Sequence, residues 1–279
     1  MEQNLTVFSY KTLEFETFLN LFMQREQEIL NSVTTSIFTG GFIVFITTLW
    51  LPAPYGRYSY TGKLFLLPIS PRFGWFLQEL PAFLVPCIVI GSSCLSNSQY
   101  KFSRLQLTVL GCFVLHYLIR TFYYSYNING GKSSPLIGYL LAGSFCFING
   151  YIQSRGMLLS KSTLDDNLTR VVFGILIFLV GLAINVHSDF LLSNLRKPGE
   201  TDYKIPQGGL FNVVSCANYT GEITEWIGFA IAAWNLYAFS FAYFTMAFLV
   251  PRAIRHHRFY QEKFKDYPKN RKAVLPFLL

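Results

Sequence analysis

Apolar residues in this chain fall into long runs separated by short polar segments. A run of about 20 apolar residues, wound as helix, matches a hydrocarbon core about 30 Å thick. Seven such runs are predicted, at 33–52, 74–95, 105–126, 135–152, 168–192, 210–234 and 238–256. Glycines and polar residues interrupt the fourth and sixth. The pattern defines an all-α, polytopic integral membrane protein with about seven transmembrane helices. Residues 1–32 carry mixed charge and lack the basic start and small-residue cleavage site of a signal peptide. They are expected to form a lumenal or interfacial segment with a short helix. Residues 33–256 form the membrane domain, and 257–279 a basic cytosolic tail.

Composition supports this picture: 52% of the 279 residues are hydrophobic, 18% aromatic and only 14% charged. An ordinary soluble domain is excluded. The net charge of +8 would suit a nucleic-acid binder, but its distribution points to membrane topology. With seven spans, fifteen Lys and Arg residues fall on the C-terminal side and seven on the other. The positive-inside rule then places the C-terminus in the cytosol and the N-terminus in the lumen or outside. No nucleic-acid partner is expected. The five cysteines are scattered through apolar segments and read as small buried hydrophobes.

Polar groups inside the spans carry the chemistry, because each is costly in lipid. The stretch "WFLQELP" places Gln78 and Glu79 side by side in span two. Span three contains "LHYLIRTFYYS", in which Tyr117, Arg120 and Tyr124 share a helix face. Asn185 and Asp189 lie four apart in span five, as do Asn218 and Glu222 in span six, with Glu225 one turn on. Arg252, His256 and Tyr260 continue a four-residue stripe beyond span seven. Pairing between helices explains any one of these groups, but polar contacts of ~0.6 kcal/mol each do not explain the whole set. Together they are expected to line one cavity for a large polar ligand.

The loop "LRKPGETDYKIPQGGLF" (195–211) combines Arg196 and Lys197 with Gly208 and Gly209 near a helix start. Such a combination can cradle phosphate. No soluble nucleotide-binding, hydrolase or metal-binding motif occurs in the chain.

The strings "FLQELP", "HYLIRTF", "INVHSD", "LRKPGETDYKIPQGGLF", "ANYTGEITEWIGFA" and "HHRFYQEKFKDYPKNRKAVLPFLL" resemble the steroid 5α-reductases, also called 3-oxo-5α-steroid 4-dehydrogenases. The likeness runs from about Arg57 to the C-terminus and is densest from residue 185. It implies a seven-helix enzyme of the endoplasmic reticulum membrane. Such an enzyme uses NADPH to reduce the 4,5 double bond of a 3-oxo-Δ4-steroid.

By that resemblance Glu79 and Tyr117 bind and polarise the steroid C3 carbonyl, and Gln78 positions the nicotinamide or steroid. A carboxylic acid kept neutral in an apolar site can donate the hydrogen bond that the developing oxyanion needs. Trp75 is a candidate wall of the steroid pocket, or an interfacial anchor. Asn185, Asp189, Asn218 and Glu222 suit ribose hydroxyls and the carboxamide. Arg120, Arg196 and Arg252 supply positive charge for the phosphates, and Arg57 would cap the phosphate end. Tyr124, Tyr203, His256 and Tyr260 complete the implied cofactor shell.

Three other readings stand beside this one. A reductase of another lipid enone or a polyprenol would share the chemistry. A membrane methyltransferase using S-adenosylmethionine would share the C-terminal bundle, but it gives Glu79 and Tyr117 no task. A transporter would show repeats or paired broken helices, and the sequence has neither.

Overall fold

The computed structural model describes residues 2–51, 67–95, 100–129, 133–160, 167–195 and 202–279, with no account of side chains at 2–20, 22 and 23. Its elements are α1 (Glu2–Trp50), β1 (Pro68–Ile69), α2 (Pro71–Leu95), α3 (Arg104–Leu118), a π-helical turn (Ile119–Tyr124) and α4 (Ser125–Asn127). They continue with β2 (Ser134–Pro135), α5 (Leu136–Leu159), α6 (Leu168–Ser193), a 3₁₀ turn (Gly209–Asn212), α7 (Ala217–Ala233) and α8 (Leu236–Lys263). The two short strands pair antiparallel, Pro68 opposite Pro135.

Among the described residues, six helices are long and apolar enough to cross a bilayer: Gln24–Trp50, Pro71–Leu95, Arg104–Asn127, Leu136–Leu159, Leu168–Ser193 and Leu236–Lys263. Their outward faces carry bare hydrophobes such as Phe42 (60% exposed), Ile88 (65%) and Leu176 (56%). Lipid is the solvent that tolerates such a surface. The protein is a multi-pass membrane protein.

Two predicted elements differ in form. The run at 210–234 divides into the 3₁₀ turn and the 17-residue α7. At 1.5 Å per residue α7 extends only about 25 Å. It is sheathed by other helices, with Thr220, Glu225 and Trp226 all buried. At the other end, the residues before the first predicted span belong to α1, which runs unbroken from Glu2.

Local signals set several boundaries. Ser103 and Gln106 form a reciprocal capping box at the start of α3. The two residues between α7 and α8 turn through Trp234 in the left-handed region (φ 49°), and Asn235 then caps α8.

Glycine seams bring the site-bearing helices together. Gly174 and Gly181 on α6 face Gly228 and Gly221 on α7, each pair seven residues apart. A Cβ on Gly181 would lie 2.3 Å from the Glu225 amide nitrogen, and one on Gly221 2.4 Å from that of Asn185. The backbones therefore touch, which only glycine allows. A looser seam joins α5 to α2, where Gly143 faces Gln78 and Gly150 faces Ala82 and Pro86. The core between these pairs is aromatic. Trp226, 1% exposed, lies among His116, Phe113, Phe178, Phe229 and Phe241.

Candidate active site

Arg120 stands at the centre of the buried polar groups. Its Nη1 donates to Asp189 Oδ2 at 3.0 Å. Its Nε lies 3.8 Å from Glu79 Oε1, and its Nη2 3.8 Å from Glu222 Oε2. Carboxylates from α2, α6 and α7 thus converge on one guanidinium. Trp75 and Tyr124 flank the cation, with ring centroids 4.6 and 4.7 Å from Cζ. These two rings meet edge to face at 5.3 Å.

Local structure explains the convergence. Arg120 and Tyr124 both belong to the π-helical turn, a wider i→i+5 winding that recurs at functional sites. The sequence pattern predicted a plain α-helical face for Tyr117, Arg120 and Tyr124, and the π turn replaces it from Ile119 onward. Pro81 lies inside α2 and has no N–H, so it cannot donate to the carbonyl of Leu77. Gln78 and Glu79 sit within that interrupted turn. Gln78 Nε2 donates to Glu79 Oε1 at 2.9 Å, and the Cys146 thiol on α5 faces Glu79 Oε2 at 3.8 Å.

The glycine seam positions the other half of the site. Asn185, one turn beyond Gly181, donates through Nδ2 to the Asn218 carbonyl at 3.0 Å. Asn218 stands within hydrogen-bonding reach of Asp189. Tyr117, 5% exposed, lies deeper, against Phe113 and His116.

The structure therefore brings together Trp75, Gln78, Glu79, Arg120, Tyr124, Asn185, Asp189, Asn218 and Glu222, with Tyr117 next to them. Arg252 and His256 form an adjoining group through Tyr219: Arg252 Nε lies 3.4 Å from Tyr219 Oη, and the His256 ring is 6.0 Å from the Tyr219 ring. Tyr203 and Tyr260 join a separate aromatic stack with Phe259 and Tyr267 farther along α8. Arg57 and Arg196 lie outside the described residues. Gly208 and Gly209 take positive φ, 93° and 52°, but the Gly208 amide donates to Asn212 Oδ1 at 3.0 Å, within its own loop.

Glu225, predicted from span six, pairs through Oε1 with His116 Nδ1 at 2.8 Å, both fully enclosed. The sequence did not single out Cys146, Asn149 and Gln153 on α5 or Tyr219 on α7, which also belong to the site. The signal for α5 was present as Asn149 and Gln153 four apart within an apolar run.

A cavity of about 90 Å³ opens beside Arg120, Tyr124, Asn185 and Asp189. The cavity reaches His116, whose partner Glu225 keeps Oε2 buried without a protein partner. An unused buried polar atom of this kind calls for a polar neighbour such as a water or a ligand. One guanidinium, paired amides, carboxylates and phenolic hydroxyls suit the diols and amide of a nucleotide cofactor.

This fold and centre define a helical membrane protein with a polar site sunk in its bundle. A family profile described as 3-oxo-5-alpha-steroid 4-dehydrogenase matches residues 132–279. Relatives include 3-oxo-5-alpha-steroid 4-dehydrogenase 1 of Bos taurus, 43% identical over 86% of this chain and 93% of its own. The type 2 protein of Homo sapiens is 41% identical over 91% of this chain and 98% of its own. The Mus musculus type 1 protein is 44% identical over 87% and 95%. The chain belongs to the 3-oxo-5-alpha-steroid 4-dehydrogenase family, a family of steroid oxidoreductases.

Proposed function

We propose that this protein reduces the 4,5 double bond of 3-oxo-Δ4-steroids to 5α-dihydrosteroids, with NADPH as reductant. The observation that carries the reading is the buried meeting of Glu79 and Arg120, with Tyr117 beside them. It supplies hydrogen-bond donors at an apolar depth and an anion-tolerant polar chamber next to it.

When bound, NADPH would supply the hydride that C5 of the steroid accepts. The chain's own residues would do the rest. Glu79, in its neutral form, and Tyr117 donate to the C3 oxygen, where negative charge develops as the enone is reduced. C4 then takes a proton, completing the saturated ketone. Gln78 holds Glu79 Oε1, and the other carboxyl oxygen meets only the Cys146 thiol, a weak donor that the steroid carbonyl would displace. Asn185, Asp189, Asn218, Glu222 and Tyr124 would hold the ribose and carboxamide end. Arg120, Arg252 and His256 would serve the phosphates, with Arg57, Arg196, Tyr203 and Tyr260 toward the cytosolic end. Trp75 would form one wall of the steroid pocket. The surplus of Lys and Arg on the C-terminal side favours a cytosolic C-terminus and a lumenal N-terminus in the endoplasmic reticulum membrane.

Product analysis tests the reading directly, using purified protein in detergent with NADPH and testosterone or progesterone. A 5α-dihydro product is expected. NADPH binding without steroid turnover would move the substrate to another enone or a polyprenol. A folded sample that binds no NADPH would overturn the reading and turn attention to S-adenosylmethionine.

A further inference from the structure

Asn149 is fully buried on α5, one turn beyond Cys146, which faces Glu79. Its carbonyl oxygen is engaged, accepting from Gln153 Nε2 at 3.1 Å. Gln153 is itself fixed, since the same Nε2 donates to the Tyr237 carbonyl at 2.9 Å. These bonds set which way the Asn149 amide points, because only its oxygen can accept from Gln153. Asn149 Nδ2 is thus left as a pure donor, and it has no hydrogen-bond partner in the resting protein. The hydroxyl it approaches is that of Tyr117.

Resting on the steroid-reductase reading, we propose that Asn149 is a positioning residue that directs the Tyr117 proton at the substrate carbonyl. A phenol can both donate and accept, so a free Tyr117 could turn its proton either way. A neighbour that can only donate removes the choice. Asn149 Nδ2 occupies the oxygen lone pair, and the Tyr117 O–H turns outward, toward the space beside Glu79. The gap between Asn149 and Tyr117 closes when substrate draws the hydroxyl into line, as catalytic hydrogen bonds often tighten in the complex. The chain Gln153–Asn149–Tyr117 then polarises in one direction and strengthens as charge builds on the steroid oxygen. Asn149 touches neither steroid nor cofactor. Its effect passes wholly through Tyr117.

That dependence is measurable by a double-mutant cycle. Asn149→Leu is nearly isosteric, removes the donor and leaves Gln153 on its Tyr237 carbonyl. Expected is a fall in kcat of about tenfold, the value of one well-placed hydrogen bond, with NADPH affinity unchanged. In a Tyr117→Phe background the same change should alter kcat less than about twofold. An equal loss in both backgrounds would show a merely structural role, and no loss in either would show no role at all. Either result overturns the proposal. If Asn149→Leu fails to bind NADPH, Asn149→Asp, which keeps an acceptor for Gln153, runs the same cycle. The unmutated protein is assayed alongside. Absence of its 5α product would remove the parent reading, whereas normal product with additive variants would remove only the role of Asn149.

Discussion

Glu79 and Arg120 meet across α2 and the π-helical turn at 3.8 Å, Oε1 to Nε, inside the bundle. The guanidinium spends its shorter bond on Asp189, at 3.0 Å, and only approaches Glu79. Glu79 is therefore held beside a cation without being locked into a bidentate pair, and its Oε2 meets only the weak Cys146 thiol donor, at 3.8 Å, which a ligand can replace. Replacing Glu79 by Leu should lower steroid turnover by 10²–10³-fold or more, as loss of an oxyanion donor does. NADPH affinity should persist. Glu79→Gln keeps an amide donor and should fall between. Unchanged turnover in the Leu variant, followed by product chromatography, would remove Glu79 from the carbonyl site.

Arg120→Ala should damage both cofactor binding and stability. It leaves Glu79, Asp189 and Glu222 facing one another without their shared cation. Removing one partner from a buried ionic cluster costs about 3–5 kcal/mol. A lower Tm and weaker NADPH binding are expected. Adding Asp189→Asn should restore part of the Tm by removing one uncompensated charge. A double variant no more stable than Arg120→Ala would show that the cluster is not coupled in this way.

Gly181→Ala and Gly221→Ala should open the seam between α6 and α7. The added methyl would lie within 2.3–2.4 Å of backbone nitrogen, where no side-chain adjustment relieves it. A cost of at least 1–3 kcal/mol, the usual range for overpacking, is expected. Gly91→Ala is the control, because nothing lies within 4 Å of its added Cβ. Thermal unfolding in detergent distinguishes them. Equal Tm values for all three would show that the seam yields.

The tail predicts a split between the two ligands. Lys272 donates to the Val213 carbonyl, and its own carbonyl accepts from Ser215; Ala273 accepts from the Cys216 amide. Thr220 Oγ1 donates to Val274 at 2.6 Å, and Arg271 Nη1 to Pro206 at 2.9 Å. Residues 271–274 thus strap the first turn of α7, which carries Asn218. Deleting 271–279 should raise the KM for NADPH about tenfold, equivalent to ~1.4 kcal/mol, with less change in the steroid KM. A matched rise in both constants would argue for general unfolding.

Much of this molecule was legible because lipid is an unforgiving solvent. The apolar runs gave the helices, and Glu79, Arg120, Asp189 and Glu222 stood out since each is costly there. What could not be read was relative rotation. Nothing in the sequence says that His116 meets Glu225, or that Asn149 turns toward Tyr117, because those meetings depend on how α3, α5 and α7 are set against one another. The seven-residue spacing of Gly174 and Gly181 was visible, but not that Gly221 and Gly228 answer it. The π turn at Ile119 has no local signature and displaces Tyr124 from its expected register. The run at 210–234 looked like a full span because its apolar residues face protein rather than lipid.

The strap formed by residues 271–274 also has a consequence in time. Residues 271–274 follow every described helix in the chain, so they leave the ribosome after the helices they fasten. The first turn of α7, and with it Asn218, stays unbraced until they arrive. A chain cut short before residue 271 would keep those helices yet lack the clasp on one edge of its polar chamber. Closing that edge is therefore a late event in the making of the protein.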